Sequence, residues 1–254
     1  SDVCSSDLAA RRHHRKSTGV GTRSGSHRPD APWENPLQRH IYLEDTYRFT
    51  ITTRVVDAGS GEQGHWLTLR DNIFHPQGGG QPSDVGTVDG MPVRPFRAPG
   101  TDAHVVRLAC ERPLAVGDEV TSAIDPEARR RHAALHTCGH VVDGIVRELG
   151  FRHRVSNHFP GQARIEFDAG DGGRPDLQRL AATVEERTRQ AIEADRKVYA
   201  SQHGDRRVVG IDGMHEDPCG GTHVTSLGQL AGFSLRSVKV KGGVLKVGYV
   251  VEHV

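Results

Sequence analysis

The sequence predicts an α+β protein in which a small β-barrel precedes a domain of helices and strands. Many short strands at close intervals are typical of a barrel or a sandwich. After Asp125, apolar residues instead recur at spacings of three and four, which indicates helices. Apolar or alternating runs typical of strands, separated by turn residues, occupy residues 47–56, 66–69, 86–90, 103–108 and 118–124.

The first helix has a clear start signal at Asp125, which can cap the helix, followed by Pro126 in its first turn. We expect this helix to end at Leu149, with Gly150 in the left-handed conformation that often terminates helices. A second helix is predicted over residues 175–199. Its apolar side comprises Leu177, Leu180, Val184, Ala191 and Val198.

The second half also contains strand patterns, so it combines helices with strands. Residues 235–240 and 244–251 are predicted to pair across Gly242 and Gly243, a two-residue hairpin signal. Further strands are predicted over residues 163–167 and 207–211. We expect a disordered tail over residues 1–36, a barrel domain over residues 37–124 and an α+β domain over residues 125–254. For the tail, the sequence leaves open whether it is native, and a basic RNA-binding arm is the alternative.

Composition gives little information about partners. The chain has 33 Lys and Arg against 32 Asp and Glu, so any contact with nucleic acid must come from local patches. Four scattered cysteines are too few for a disulfide-stabilised secreted fold, which favours a reducing, cytoplasmic location. No apolar run approaches the roughly 18 residues of a membrane span. We therefore expect no membrane association.

Two histidines on the first predicted helix could bind one metal ion. His136 and His140 are four residues apart, so both imidazoles lie on one helical face. This pair alone is weak evidence, because His132 and His136 have the same spacing in a chain with 16 histidines. The alternative for such a pair is a solvated helix face.

A second pair of potential ligands flanks two glycines near the end of the chain. Cys219 and His223 are separated by Gly220, Gly221 and a threonine, and we expect the glycines to take positive φ so that the two side chains converge. Imidazoles and a thiolate are typical zinc ligands. With His136 and His140, the sequence predicts one Zn²⁺ per chain.

These motifs resemble those of a known family. The His-x-x-x-His and Cys-Gly-Gly-Thr-His segments, at residues 136–140 and 219–223, resemble the zinc signature of alanyl-tRNA synthetase editing domains and of free-standing AlaX proteins. Residues 74–84 resemble the glycine-rich motif of the barrel that precedes the editing domain. The resemblance covers residues 37–254, although the family often has an aromatic residue where this chain has His75.

The resemblance implies a trans-editing hydrolase that removes serine or glycine from alanine tRNA. Zinc could polarise the ester, activate water or orient the substrate, whereas four protein ligands would form a closed, structural site. The sequence leaves the catalytic group unknown. The alternatives are a zinc-stabilised tRNA-binding module without turnover and a zinc hydrolase of small esters. Deacylation assays with charged tRNA and free amino-acid esters would separate them.

Candidate substrate-binding residues lie beside the motifs. The glycine loop lacks the Gly-Lys-Ser/Thr ending of a nucleoside triphosphate site, and we expect no dinucleotide. His158 could approach the site, although a turn is the alternative for its segment. Two basic clusters, at residues 129–131 and at Lys239, Lys241 and Lys246, could contact phosphates. The substrate-binding candidates are Gln77, Gly78, Gly79, Gly80, Gln81, Asp84, Thr137, Asn157 and Thr222.

Overall fold

A computed structural model of the chain describes residues 38–61, 64–97, 104–169, 175–204 and 206–254. The helices in these residues are Ile41–Glu44 (α1), Pro126–Glu148 (α2) and Leu177–Glu193 (α3). Strands β1 to β8 are Arg39–His40, Thr50–Gly61, Gly64–Leu69, Asp71–Asn72, Gly86–Val88, Met91–Arg97, Val106–Cys110 and Glu119–Ile124. Strands β9 to β15 are Arg152–Asn157, Arg164–Asp168, Val198–His203, Arg206–Ile211, Glu216–Pro218, Leu230–Lys241 and Val244–His253.

The first half of the described chain contains a closed barrel, in the order β2-β3-β7-β6-β5-β8, and this confirms the predicted barrel. Its strands alternate between buried and exposed residues, as in β6, where Met91, Val93 and Pro95 point inward. Apolar side chains from several strands fill the interior, including Val55, Leu67 and Leu108. The barrel therefore has its own apolar core.

Helix α2 forms as its sequence predicts. Asp125 caps the helix by accepting hydrogen bonds from the backbone N–H groups of Glu127 and Ala128, and proline occupies the first turn. At the other end Gly150 takes a φ of +94°, the left-handed conformation expected there. Most of the helix is buried, so it runs through the core of the second half.

A four-stranded sheet, in the order β14-β15-β10-β9, packs with α2 and α3 around a second apolar core. The predicted hairpin is confirmed, because β14 and β15 pair from Lys241 and Val244 across Gly242 and Gly243, which both have positive φ. The α+β class is likewise confirmed. The domain limits at residues 37–124 and 125–254 remain a prediction.

The second helix is shorter than predicted. It ends at Glu193, and Val198 lies in β11, outside the helix. Asp195 takes a φ of +43°, which interrupts the helix, and the Val198 N–H then donates to Thr225 O, which starts the strand. The periodicity at Val198 was therefore misleading, because an inward-facing strand residue can continue a helical spacing by chance.

Strands β1, β4, β6, β9, β11 and β13 have no counterpart among the predicted strands. β9 consists mostly of exposed polar residues at one edge of the four-stranded sheet, and β13 is a three-residue Glu-Asp-Pro segment. Neither β9 nor β13 has the alternation of apolar and polar residues that predicts a strand. The predicted tail at residues 1–36 lies outside the described residues. Within the described residues, no helix combines the length and apolar composition needed to cross a bilayer.

Candidate metal centre

Four potential metal ligands converge where α2 meets the loop after β13. His136 and His140 come from the helix, and Cys219 and His223 come from the loop. Their donor atoms all lie within 4.8 Å of one another. Cys219 Sγ is 3.5 Å from His136 Nε2 and 3.2 Å from His223 Nε2. The structure therefore brings together the four side chains that the sequence selects as ligands.

These separations fit a tetrahedral zinc ion. Bonds of about 2.3 Å to sulfur and about 2.0–2.1 Å to nitrogen place adjacent donors about 3.3–3.6 Å apart in a tetrahedron. Both sulfur–nitrogen distances at Cys219 are close to that range. One thiolate and three imidazoles are also a ligand set that zinc favours. The residues present are thus compatible with zinc in geometry and in chemistry.

The ligand loop needs glycine for a reason other than backbone conformation. The predicted positive φ is wrong, because neither Gly220 nor Gly221 is among the residues with positive φ. Instead, a Cβ atom at Gly221 would lie 2.2 Å from the ring of His136 and 2.9 Å from Gln81 Oε1. Glycine at position 221 therefore lets the loop approach the ligand ring closely.

Arg207 contacts the same loop, and no sequence pattern indicates this contact. Its Nη1 donates to the carbonyl oxygens of Cys219, at 2.6 Å, and of Gly221, at 3.3 Å. The Cys219 N–H in turn donates to Arg207 O. Because the guanidinium is largely buried beside Cys219, it fixes the loop and adds positive charge near the thiol.

Gln81, from the glycine loop, orients His136. Its Oε1 accepts hydrogen bonds from Thr222 N, at 3.0 Å, and from His136 Nδ1, at 2.8 Å, while its Nε2 donates to Thr222 Oγ1. Because Oε1 can only accept, the hydrogen of His136 is on Nδ1, and Nε2 is free for the metal. Gln81 and Thr222 are fully buried, so their polar atoms are committed to the ligand loop.

Thr137 orients His223 in a similar way. Its hydroxyl donates to Ala133 O at 2.8 Å, so its oxygen accepts from Val224 N and from His223 Nδ1, at 3.1 and 3.2 Å. This leaves His223 Nε2 directed at Cys219. Thr137 is itself fully buried. Partners of this kind, which bind the far nitrogen of a ligating histidine, fix its tautomer and its orientation.

His140 has a charged partner, Asp217. The carboxylate lies 3.8 Å from His140 Nδ1, and it also pairs with Arg147 at 2.9 Å and with His215 Nε2 at 2.8 Å. His215 is therefore a partner of Asp217 and lies outside the four-ligand group. A Cβ at Gly144 would lie 2.0 Å from the His215 ring, so glycine makes room for that imidazole.

Electrostatics favours a thiolate at Cys219. Burial alone would raise the pKa of the Cys219 thiol, but the hydrogen bond and charge of His140 lower it overall, with help from Gly221 N–H and Arg207. For His140, burial opposes the charged form, yet the hydrogen bonds to Asp217 and Cys219 raise its pKa to about 9. Burial and neighbouring histidines hold the pKa of His136 and His223 well below the usual range, so both stay neutral and able to ligate.

The ligands open onto a cavity of about 730 Å³. This size lies within the range of about 300–1,000 Å³ that is usual for small-molecule sites. One part of the lining comes from the metal group and its neighbours, and another comes from the end of α2 and from β9. The lining includes Gly79, Gly139, His140, Asp143, Arg147, Phe151, Ser156, His158, Asp217 and Cys219.

The glycine loop meets this cavity through Gly79 and packs against β9 through Gly80. Both have positive φ, +56° and +78°. A Cβ at Gly79 would meet nothing within 4 Å, whereas one at Gly80 would lie 2.7 Å from Ser156 O and 3.0 Å from the His158 ring. Gln77 and Gly78 are exposed. Close packing therefore requires glycine at position 80, while Gly79 forms part of the cavity wall.

Asp84 ties the glycine loop to the metal helix. Its carboxylate receives Nε and Nη2 of Arg129 at 3.0 and 2.5 Å, and it accepts from His75 N. Both side chains are almost completely buried. Arg129 also donates to Ile73 O and Thr46 O. The prediction that Arg129 contacts phosphate is therefore wrong, because its guanidinium is buried and paired with Asp84.

Asn157 lies at the end of β9, where its side chain accepts a hydrogen bond from Phe159 N at 2.9 Å. That contact is a turn, and a substrate role for Asn157 remains a prediction. The neighbouring His158 is buried, lines the cavity and stacks on His136 with ring centroids 4.4 Å apart. Burial, followed by the charge of His140, lowers the pKa of His158 to about 3, so its ring is neutral.

Comparisons with known proteins agree with the site. Residues 207–246 match the model of the threonyl and alanyl tRNA synthetase second additional domain. The alanyl-tRNA editing protein Aarsd1 of Danio rerio is 30% identical over 65% of this chain, which spans 43% of that protein. The alanyl-tRNA editing protein AlaX-M of Pyrococcus horikoshii is 28% identical over 76% of this chain, which spans 88% of that protein. AlaX-M of Methanosarcina mazei is 26% identical over 80% of this chain, which spans 91% of that protein. The chain is thus similar to AlaX-type alanyl-tRNA editing proteins. This similarity accounts for the order of the glycine loop, the histidine pair and the Cys-Gly-Gly-Thr-His loop in one chain.

Proposed function

We propose that this protein is an AlaX-type, zinc-dependent aminoacyl-tRNA deacylase that hydrolyses alanine tRNA carrying serine or glycine. The observation that carries the proposal is the convergence of His136, His140, Cys219 and His223 beside a cavity large enough for an aminoacyl-adenosine. The relatives named as alanyl-tRNA editing proteins support the same reaction class.

The reaction is hydrolysis of the ester that links the amino acid to the terminal ribose of the tRNA. It requires a positioned water, stabilisation of the developing negative charge and a pocket that rejects alanine. A bound zinc ion can supply charge stabilisation or orientation of the ester. The protein supplies the shape of the cavity, whose lining includes Gly79 and Gly139.

Gln81, Thr137 and Asp217 are assigned to positioning. Each contacts or faces the Nδ1 side of one ligating histidine, which leaves Nε2 directed into the ligand group. Since such partners typically change metal affinity or activity by about 10–100-fold, we propose this role for them in place of substrate contact. For Thr222, whose hydroxyl accepts from Gln81, the same role applies.

A second candidate function is a tRNA-binding module in which zinc only stabilises the fold. It is favoured by the ligand set itself, because four protein ligands in a tetrahedron are typical of closed, structural zinc sites. Both functions include bound zinc and affinity for tRNA. Only the deacylase releases amino acid in many turnovers.

The deciding experiment is deacylation of alanine tRNA charged with serine, glycine or alanine, at enzyme concentrations well below substrate. We expect multiple turnovers with serine, and slower or no release of alanine. Free serine and alanine esters serve as controls, and they should react far more slowly than charged tRNA. Tight tRNA binding without any turnover would replace the deacylase with the binding module. Equal rates with free esters would indicate a small-ester hydrolase.

A further inference from the structure

The cavity contains one buried polar ring whose function the metal centre does not explain. His158 Nδ1 is 2.7 Å from Tyr249 Oη, and the Tyr249 hydroxyl is 3.0 Å from Leu135 O. Because Leu135 O can only accept, the tyrosine hydroxyl donates to it, so Tyr249 Oη accepts from His158. The hydrogen of His158 is therefore on Nδ1, and Nε2 carries a free lone pair.

The position of this ring is fixed from several sides. The His158 N–H donates to Gly80 O at 2.8 Å, and the ring stacks on His136 with an angle of 21° between the planes. A Cβ at Gly139 would lie 2.3 Å from the ring, and one at Gly80 would lie 3.0 Å from it. Two glycines thus leave space for the imidazole, and flipping the ring would move Nδ1 away from Tyr249 and break that hydrogen bond.

The other polar side chains of the cavity already have partners. His136, His140 and Cys219 belong to the metal group. Asp143, Arg147, Arg152 and Asp217 form ion pairs, and His153 Nδ1 lies 2.7 Å from Asp143 Oδ1. Within the described part of the cavity lining, this leaves two polar side chains, those of His158 and Ser156. No hydrogen bond from a described residue reaches His158 Nε2, so this acceptor is available to a ligand.

We propose that His158 determines specificity, with its Nε2 accepting a hydrogen bond from the hydroxyl of the seryl group in the substrate. This inference rests on the proposed deacylase function. An alanyl or a glycyl group would leave the buried nitrogen without a partner, and sites built to bind a substrate hydroxyl reject analogues that lack it for this reason. The contact therefore favours serine over alanine, and it makes glycine the weaker of the two proposed substrates. A charged α-amino group is attracted more strongly to carboxylates, which the cavity provides at Asp143 and Asp217. The neutral ring nitrogen therefore suits an uncharged donor.

Two substitutions at position 158 distinguish the role of Nε2 from that of Nδ1. In His158→Asn the side-chain amide can still donate to Tyr249 but does not extend to the position of Nε2. In His158→Gln the longer side chain can place its amide oxygen near that position. With zinc content verified as unchanged, the ratio of serine to alanine release should fall about 10- to 100-fold in His158→Asn, as expected for an unmade buried hydrogen bond, and less in His158→Gln. Ser156→Ala should keep the wild-type ratio.

A binding measurement tests the inference independently of turnover. Amide-linked seryl-adenosine and alanyl-adenosine, which are not hydrolysed, are titrated into the zinc-loaded wild type and both His158 variants by calorimetry. We expect the wild type to prefer the seryl analogue and His158→Asn to lose that preference. Equal binding of both analogues by the wild type, or an unchanged preference in His158→Asn, would overturn the proposal. So would a loss of preference in Ser156→Ala alone. If the wild type shows no turnover, the proposed function fails, and the analogue preference still decides the role of His158.

Discussion

Two glycine-rich loops meet at the candidate metal centre, and they contribute in different ways. The loop at residues 219–223 carries two of the proposed ligands, and its Gly221 is needed because the loop touches His136. The loop at residues 77–81 carries no ligand, has positive φ at Gly79 and Gly80, and contributes Gln81 as a buried partner of His136. Two loops of similar composition therefore serve different purposes, ligation in one loop and orientation of a ligand in the other.

The two loops are also anchored differently. Arg207 holds the ligand loop by donating hydrogen bonds to the backbone carbonyl oxygens of Cys219 and Gly221. The glycine loop is held by the buried pair of Asp84 and Arg129, which attaches it to α2. The metal helix is therefore the element that both loops share. Substitutions in each loop should then have different effects on folding and on metal binding.

The largest effect on folding is expected at Asp84. Asp84→Ala leaves the Arg129 guanidinium buried without its carboxylate, and removing one partner of a buried pair typically costs about 3–5 kcal/mol. Urea denaturation measures the loss. Glu44→Ala is the matched control, because Glu44 pairs with Arg39 at the surface, where such pairs contribute about 0–1 kcal/mol. A loss below about 1 kcal/mol for Asp84→Ala would show that the pair does not anchor the loop.

The next largest effect is expected on metal binding when a ligand is removed. His140→Ala should lower zinc affinity by more than the roughly 100-fold that a non-ligating partner can account for, and deacylation should fall with it. Competition with a chromogenic chelator measures the affinity. His203→Ala, which changes an exposed histidine, is the control and should bind zinc as the wild type does. Unchanged affinity in His140→Ala would remove His140 from the ligand set.

A smaller effect on zinc affinity is expected from a substitution in the glycine loop. Gln81→Leu removes the acceptor for His136 Nδ1 without removing a ligand, so zinc affinity should fall about 10- to 100-fold. Gln77→Leu, four residues earlier and exposed, should leave the affinity unchanged. If Gln81→Leu bound zinc with wild-type affinity while serine release fell, Gln81 would instead contact substrate, as the sequence first suggested.

The smallest effect is expected at Gly79. Gly79→Ala places a side chain at a φ of +56° with no neighbour within 4 Å, so the cost is that of the left-handed backbone, about 1–2 kcal/mol. Gly80→Ala adds a Cβ at 2.7 Å from Ser156 O and should cost more. Thermal unfolding of both variants, with zinc content measured, compares them. Equal losses of stability in the two variants would show that the backbone of β9 shifts to accommodate the added Cβ atom.

Local signals allowed much of this structure to be predicted. The start of α2 at Asp125 and Pro126, its end at Gly150 and the hairpin around residues 242–243 all depend on residues close in sequence. The ligands could be selected because a four-residue spacing on a helix and a short loop each bring two donors together.

Contacts between distant segments could not be predicted in the same way. Gln81 and His136 are 55 residues apart, and nothing near either residue indicates their hydrogen bond. Thr137 lay beside a ligand and suggested a pocket residue, yet its hydroxyl turns toward His223. Asp217, two positions before Cys219, was available as a signal, since carboxylates often orient metal-bound histidines.

The most direct test of the central claim is zinc X-ray absorption of the purified full chain. The account predicts one zinc per chain with one sulfur at about 2.3 Å and three nitrogens at about 2.0–2.1 Å. In Cys219→Ala the sulfur contribution should disappear, and zinc should be lost or bound more weakly. A wild-type spectrum with no sulfur ligand, with more than one, or without stoichiometric zinc would contradict the centre formed by His136, His140, Cys219 and His223.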